Sequence, residues 1–372
     1  MRAFLGRSAL AAMVLVGTRA AGGERQMEYL TRGVVAVHRG GGEVYVSWRW
    51  LGTDPDTIAF HVYRSTGGEA PVRLHPEPIT ASTNFVDRGI DLTESNAFFV
   101  TPVLDNREQA ASAPFVLPAQ APARQYLEIP LRTPSGYVPG DTSAGDLDGD
   151  GEYELVVHMT GRGRDNAQAG LTDPPLLQAY KTDGTHLWSI HLGRNIREGP
   201  HYTQFIVYDL DGDGIAEVVC KTADGTVDGQ GTVIGDKAAD WVDSDGRVLQ
   251  GPEYFTVFDG RTGAALATVD YIPPRGQIDG WGGIGGNGGN DRSGNRVDRF
   301  LACAACLDGQ RPSVVMCRGV YGRSVLAAWD FRDGKLTSRW VFDTDAPGTG
   351  KDGKPHGDYA GMGGHSLAVA DV

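Results

Sequence analysis

Apolar and polar positions alternate along much of the chain with the two-residue period of half-buried strands. Val44-Tyr45-Val46-Ser47-Trp48-Arg49-Trp50 and Phe60-His61-Val62-Tyr63-Arg64 show it, and Asn96-Ala97-Phe98-Phe99-Val100-Thr101 adds another run. Turn clusters at 52–55 and 66–68 separate them. Short strands at this spacing predict a small β-sandwich, fibronectin-like, over residues 27–118. The Ala/Pro-rich text that begins near 111 predicts a linker, placed at 119–130.

From 131 onward the pattern repeats. Gly145-Asp146-Leu147-Asp148-Gly149-Asp150-Gly151-Glu152-Tyr153-Glu154 runs into Leu155-Val156-Val157. Tyr208-Asp209-Leu210-Asp211-Gly212-Asp213-Gly214-Ile215-Ala216-Glu217 runs into Val218-Val219. Cys306-Leu307-Asp308-Gly309 before Val314-Val315 is a degenerate third copy, and Leu367 to Val372 looks like the opening of a fourth. Each of the first three is followed by a hairpin signal, at 179–188, 257–263 and 329–336. Strand, acidic turn, strand, strand, Gly turn, strand is a four-stranded unit, and its repetition predicts a β-propeller over 131–372. Long inserts at 223–252 and 275–297 stretch the period. Three to four such units are too few to close the ring, so an incomplete propeller, truncated at the C-terminus, is expected.

The acidic turns carry the chemistry. In D-x-D-G-D-G-x-x-E, glycines permit a sharp reversal that converges carboxylates, and hard oxygen donors in that number suit calcium. The expected ligands are Asp146, Asp148, Asp150, the Glu152 carbonyl and Glu154, then Asp209, Asp211, Asp213, the Ile215 carbonyl and Glu217. An EF-hand is excluded. Its twelfth position must be Glu, and here it is Val157 or Cys220.

Composition narrows the partners. Thirty-four basic against 47 acidic residues leave a formal charge of −13, which disfavours nucleic acid and anionic membrane. Two arginines, an apolar run over 8–17 and small residues predict a signal peptide over 1–22, hence a secreted or periplasmic protein, expected to be a monomer. Cys220, Cys303, Cys306 and Cys317 read as buried thiols, since no second ligand pair accompanies the CxxC at 303–306. No G-x-S-x-G, HExxH or Walker signature is present.

The stretches 140–154, 199–217, 221–226, 251–254, 294–301 and 332–336 resemble the rhamnogalacturonan lyases of polysaccharide lyase family 11, and the likeness runs from about 27 to 372. The resemblance implies an eight-bladed calcium propeller behind a small β-domain. It also implies β-elimination at the rhamnose-galacturonate backbone of the pectic polymer rhamnogalacturonan I. By the same resemblance, Asp141 and His365 match positions that hold a calcium at the active centre, and Asp371 matches another calcium position. Gly140 departs from members that carry a polar side chain there. His201, Gln204, Lys221, Arg296, Arg299 and Arg318 are candidate substrate contacts, with Tyr202 and Arg323 beside them, and Trp281, set among glycines, either stacks on a sugar ring or covers a blade. No catalytic base is assigned. A non-catalytic calcium propeller for carbohydrate binding or adhesion, and a quinone-dependent sugar dehydrogenase, are the alternatives, since fold alone does not choose.

Overall fold

The structure, a computed structural model, describes residues 26–282, 292–350, 352–361 and 363–370. The expected leader at 1–22 and Asp371 lie outside the described residues. The described residues form antiparallel β-structure, with two single-turn helices among them, Ile278–Trp281 and His356–Tyr359.

The N-terminal strands are β1 (Val35–Gly40), β2 (Glu43–Ser47), β3 (Ala59–Thr66), β4 (Val72–Arg73), β5 (Asn84–Asp87), β6 (Asn96–Leu104), β7 (Arg107–Glu108) and β8 (Phe115–Leu117). One sheet is β1-β2-β5; the other is β4-β3-β6-β7 with β8 on β6. Alternation aims Ala36, Val44 and Val46 of the first at Phe60, Val62, Phe98 and Val100 of the second, and Trp48 and Leu117 complete one core. Each such side chain contributes about 1.5–3 kcal/mol when fully buried.

Three meanders follow. The first is β9 (Val138–Gly145), β10 (Glu154–Thr160), β11 (Leu176–Tyr180) and β12 (His186–His191). The second is β13 (Phe205–Tyr208), β14 (Glu217–Ala223), β17 (Glu253–Phe258) and β18 (Ala265–Asp270). The insert between β14 and β17 forms a hairpin, β15 (Thr226–Val227) and β16 (Val233–Ile234), that covers the open edge of β12. The third is β19 (Phe300–Ala305), β20 (Ser313–Arg318), β21 (Val325–Arg332) and β22 (Lys335–Asp343). All three turns read as hairpins in the sequence fall between paired strands.

The meanders pack face on face. Val156, Leu177, Trp188 and Ile190 of the first meet Val207, Val218 and Phe258 of the second. Val219, Phe255 and Val257 on its other face meet Val314, Met316, Ala327 and Trp329 of the third. Both faces of the middle sheet are thus covered, and every residue of β14 is buried.

Strand direction separates two kinds of chemistry. β9 and β13 both run from the cleft residues (Asp141, and His201 and Gln204 just before β13) toward the acidic turns at 146–154 and 209–217. At about 3.3 Å per residue, the strand from Asp141 to the first acidic turn at Asp146 covers roughly 16 Å. The acidic turns therefore sit at one end of the sheets and the cleft at the other.

Candidate functional site

The two acidic turns fold alike. Asp146 accepts from Gly149 N with one oxygen and Gly151 N with the other, both at 2.7 Å. Asp209 does the same for Gly212 at 2.7 Å and Gly214 at 3.1 Å. Glu154 accepts from Leu147 N and Glu217 from Leu210 N, each at 2.8 Å. The result gathers one oxygen each from Asp146, Asp148 and Glu154, and from Asp209, Asp211 and Glu217, within 4.8 Å of one another. Asp150 and Asp213 stand outside these groups and accept from Glu152 N and Ile215 N, both at 2.8 Å. The Glu152 side chain turns outward to Thr31 and Arg49.

The donor set fits a hard cation. Burial pushes the Glu217 carboxyl up to about 8, and the charges of Asp211 and Asp209 add to it. Burial likewise pushes Glu154 to about 7, here against the pull of Lys181. These are carboxylates short of positive charge. Only the first group has an ion-pair partner among the described residues. Lys181 Nζ lies 2.6 Å from Asp148, 3.1 Å from Asp150 and 3.7 Å from Glu154. The position after the matching strand of the second meander is Asp259. In the degenerate third turn Asp308 accepts from Gln310 N and Arg311 N and pairs with Arg311, which holds its carboxyl down at about 2. That turn needs no metal.

The N-terminal segment seals this end. Thr31 N donates to Gly151 O at 2.8 Å and Arg49 Nη1 to the same oxygen at 3.1 Å. Gln26 donates to Asp209 O at 2.9 Å and to Gln310 O at 2.8 Å. Gly151 has φ +83°, and a Cβ there would meet Thr31 Cγ2 at 2.6 Å, so the contact requires glycine.

At the other end Asp141, His201, Gln204, Arg299 and His365 line one cavity of about 270 Å³. The His201 and His365 rings are 6.4 Å apart. Asp165, which the sequence did not single out, sits 4.0 Å from His201 Nε2 and 3.9 Å from Arg299 Nη2. Burial, then Arg299, holds the His201 imidazole below its ordinary value, so it is neutral at pH 7. A second hollow shares Asp141, Pro200 and Gln204 and is lined by His158, Glu198 and Thr203. The Thr203 hydroxyl is buried there with no partner among the described residues.

Other candidates lie elsewhere. Lys221 and Arg318, expected at substrate, are buried in an ionic cluster with Glu253, Arg275 and Asp298. Their charges are used inside the protein and cannot reach a polymer. Trp281 is fully buried, donating to Arg275 O at 2.7 Å. Tyr202 is buried against Arg197, Arg323 pairs with Asp343, and Arg296 lies over the Tyr321 ring at 5.3 Å. All four cysteines are free thiols, Cys220 buried and the others half-buried.

Comparison with known proteins places this geometry. Residues 117–372 match the C-terminal domain of rhamnogalacturonan lyase family 11. Residues 25–116 match the beta-sheet domain of rhamnogalacturonan I lyases. The rhamnogalacturonan exolyase YesX of Bacillus subtilis is 51% identical over 360 residues, covering 94% of this chain and 54% of that one. The endolyase YesW of the same organism is 46% identical over 379 residues, covering 98% and 57%. The crystal structure of YesX superposes with a TM-score of 0.82 at 51% identity, over 94% of this chain and 55% of that one. A Bacillus licheniformis rhamnogalacturonan lyase gives 0.80 at 50%, over 94% and 57%. The chain spans little more than half the length of these relatives. It belongs to rhamnogalacturonan lyase family 11.

Proposed function

We propose that this chain serves an exported, calcium-dependent lyase that cleaves the rhamnose-galacturonate backbone of rhamnogalacturonan I by β-elimination. The observation that carries it is the cleft, where Asp141, His201, Gln204, Arg299 and His365 converge in a chain of this family. In this reading the three meanders are consecutive propeller blades behind a sandwich domain, and the polymer lies across the cleft end.

The residues divide the work. Arg299, partly exposed in the cleft, pairs with a uronate carboxylate. Asp165 keeps that guanidinium and the His201 ring in place. His201, neutral at pH 7, takes up a proton at its imidazole. Asp141 and His365 are the side chains that would hold calcium there, and bound calcium would lower the negative charge that keeps the uronate C5 proton weakly acidic. The acidic turns, at the far end, would hold calcium structurally, through Asp146, Asp148 and Glu154 and through Asp209, Asp211 and Glu217.

The test is the ultraviolet absorbance of a newly formed unsaturated uronate. A calcium-dependent rise with rhamnogalacturonan I and not with homogalacturonan is expected. Binding of the polymer without any rise would instead favour a carbohydrate-binding role.

The two turns should differ in calcium affinity, because Lys181 already supplies positive charge to the first. Lys181→Gln should tighten calcium at the first turn by about tenfold, the effect of roughly 1.4 kcal/mol. Calorimetric titration in an Asp211→Asn background, with the second turn disabled, reads it. Unchanged affinity would show that Lys181 does not compete.

A further inference from the structure

We propose that the buried His158–Glu198 pair is a positioning device for the cleft, fixing the strand that carries Asp141 against the loop that carries His201. Its consequence for turnover rests on the lyase reading above; its geometry does not.

His158 is 5% exposed and Glu198 is fully buried. His158 interrupts the apolar run of β10, a strand covered on both faces, where an imidazole adds nothing to packing that a Leu would not. Its Nε2 donates to Glu198 Oε2 at 3.0 Å. A buried polar pair is weak evidence for stability, because desolvation offsets most of what the contact gains. The pair is better explained by what each member holds.

On one side is Asp141. The register of β9 on β10 slips at this point: Val157 pairs with Thr142 but Met159 with Pro139. Gly140 and Asp141 together therefore oppose the single residue His158, which is a bulge, and bulges re-aim side chains beside functional sites. Gly140 is needed for it, since a Cβ would lie 2.5 Å from Thr160 Oγ1 and 3.1 Å from His158 O. A side chain at 140 cannot sit in this backbone without moving Thr160.

On the other side is His201. Glu198 Oε1 accepts from Gly199 N at 2.8 Å, its own N–H donates to Thr172 Oγ1 at 3.1 Å, and its carbonyl accepts from Arg164 N at 3.0 Å. Every polar atom of Glu198 is used. Gly199 then passes so close to Arg164 O that a Cβ would lie 2.1 Å from it. Two residues later His201 O accepts from Phe300 N at 3.1 Å, tying the loop to the third meander beside Arg299. The pair thus joins Asp141 on the first sheet to the loop that presents His201 and reaches Arg299. A displacement near 1 Å in such an arrangement can cost about 100-fold in rate.

The experiment compares Glu198→Ala, Glu198→Gln and the parent chain by amide hydrogen exchange and by release of unsaturated uronate. Glu198→Ala should speed exchange over 199–204 by at least about tenfold and leave 209–217 unchanged, an opening confined to one loop. It should lower kcat by about 100-fold and change KM less than about threefold, whereas Gln, which keeps the contact, should stay within about fivefold of the parent. Unchanged exchange over 199–204 overturns the proposal, and so does faster exchange with kcat intact. Should Glu198→Ala not fold, His158→Gln, which retains a polar contact at a different reach, carries the same comparison. If the parent chain releases no unsaturated uronate, the exchange data alone decide whether the pair holds the loop.

Discussion

Glu253→Ala should be among the most damaging single substitutions, lowering stability by about 3–5 kcal/mol, the cost of stranding buried charge. Glu253 opens β17 and is buried among three cations. Its Oε1 lies 2.7 Å from Arg275, 3.1 Å from Lys221 and 3.1 Å from Arg318, and its Oε2 lies 2.7 Å from Arg318 Nη1. Burial works against the charge on Glu253, yet Arg318, Lys221 and Arg275 together hold the carboxyl well below the usual range. A carboxyl held low contributes stability that is present above its unfolded value, near 4.5, and is lost as the pH falls below it. Without Glu253, Asp298 alone would face three buried cations, reaching Arg318 at 3.1 Å and Arg275 at 3.5 Å. Lys221→Met makes the contrasting prediction. It removes the surplus cation, whose burial already depresses its proton affinity, and leaves two arginines with two carboxylates. Its cost should be under about 1.5 kcal/mol, as for other shape-conserving core changes. Denaturant midpoints of both variants check the pair. Equal losses would show that Glu253 matters for its shape and not for its charge.

That cluster marks where the sequence stops being legible. Strands were readable because alternation is local, and the acidic turns because all their carboxylates fall within nine consecutive positions, 146–154 and 209–217. The cleft draws on Asp141, Asp165, His201, Arg299 and His365, five segments that only the fold brings together. His201 and Arg299 stand out in the chain as candidates and Asp141 and His365 only through the family resemblance, while Asp165 and the His158–Glu198 pair do not stand out at all. Lys221 and Arg318 were read as substrate contacts because a cation in a strand has no visible partner in one dimension. Their partners, Glu253 and Asp298, lie 32 and 20 residues away. For Trp281, set among glycines, the chain leaves open a sugar contact or a packing role; the turn at Ile278–Trp281 folds the ring inward beneath Arg318 and Arg323, so it packs.

Removing divalent cations should lower the melting temperature by roughly 10 °C near pH 8 and by much less near pH 5. Each turn that binds calcium in the folded state alone is stabilised by about 2.7 kcal/mol when calcium is a hundredfold above its dissociation constant. Two turns, and about 2 °C per kcal/mol for a chain this long, give the magnitude. The pH dependence follows from Glu217 and Glu154, held at about 8 and about 7 in the metal-free fold against 4.5 when unperturbed. Folding without metal therefore takes up protons once the pH passes 4.5. The metal-free protein should lose stability as pH rises from there, until both carboxyls are ionised in the folded state above about 8. Calcium binds the ionised form, so its presence should flatten this slope, and the gap between the two melting curves should widen with pH. The same turns carry the contacts of Gln26, Thr31 and Arg49, so proteolysis within 26–33 should accelerate in chelator at pH 8. Melting scans with calcium or chelator from pH 5 to pH 8 make the measurement. A gap that stays constant with pH would mean that Glu217 and Glu154 do not ligate the ion, and the absence of any gap would remove calcium from the turns altogether.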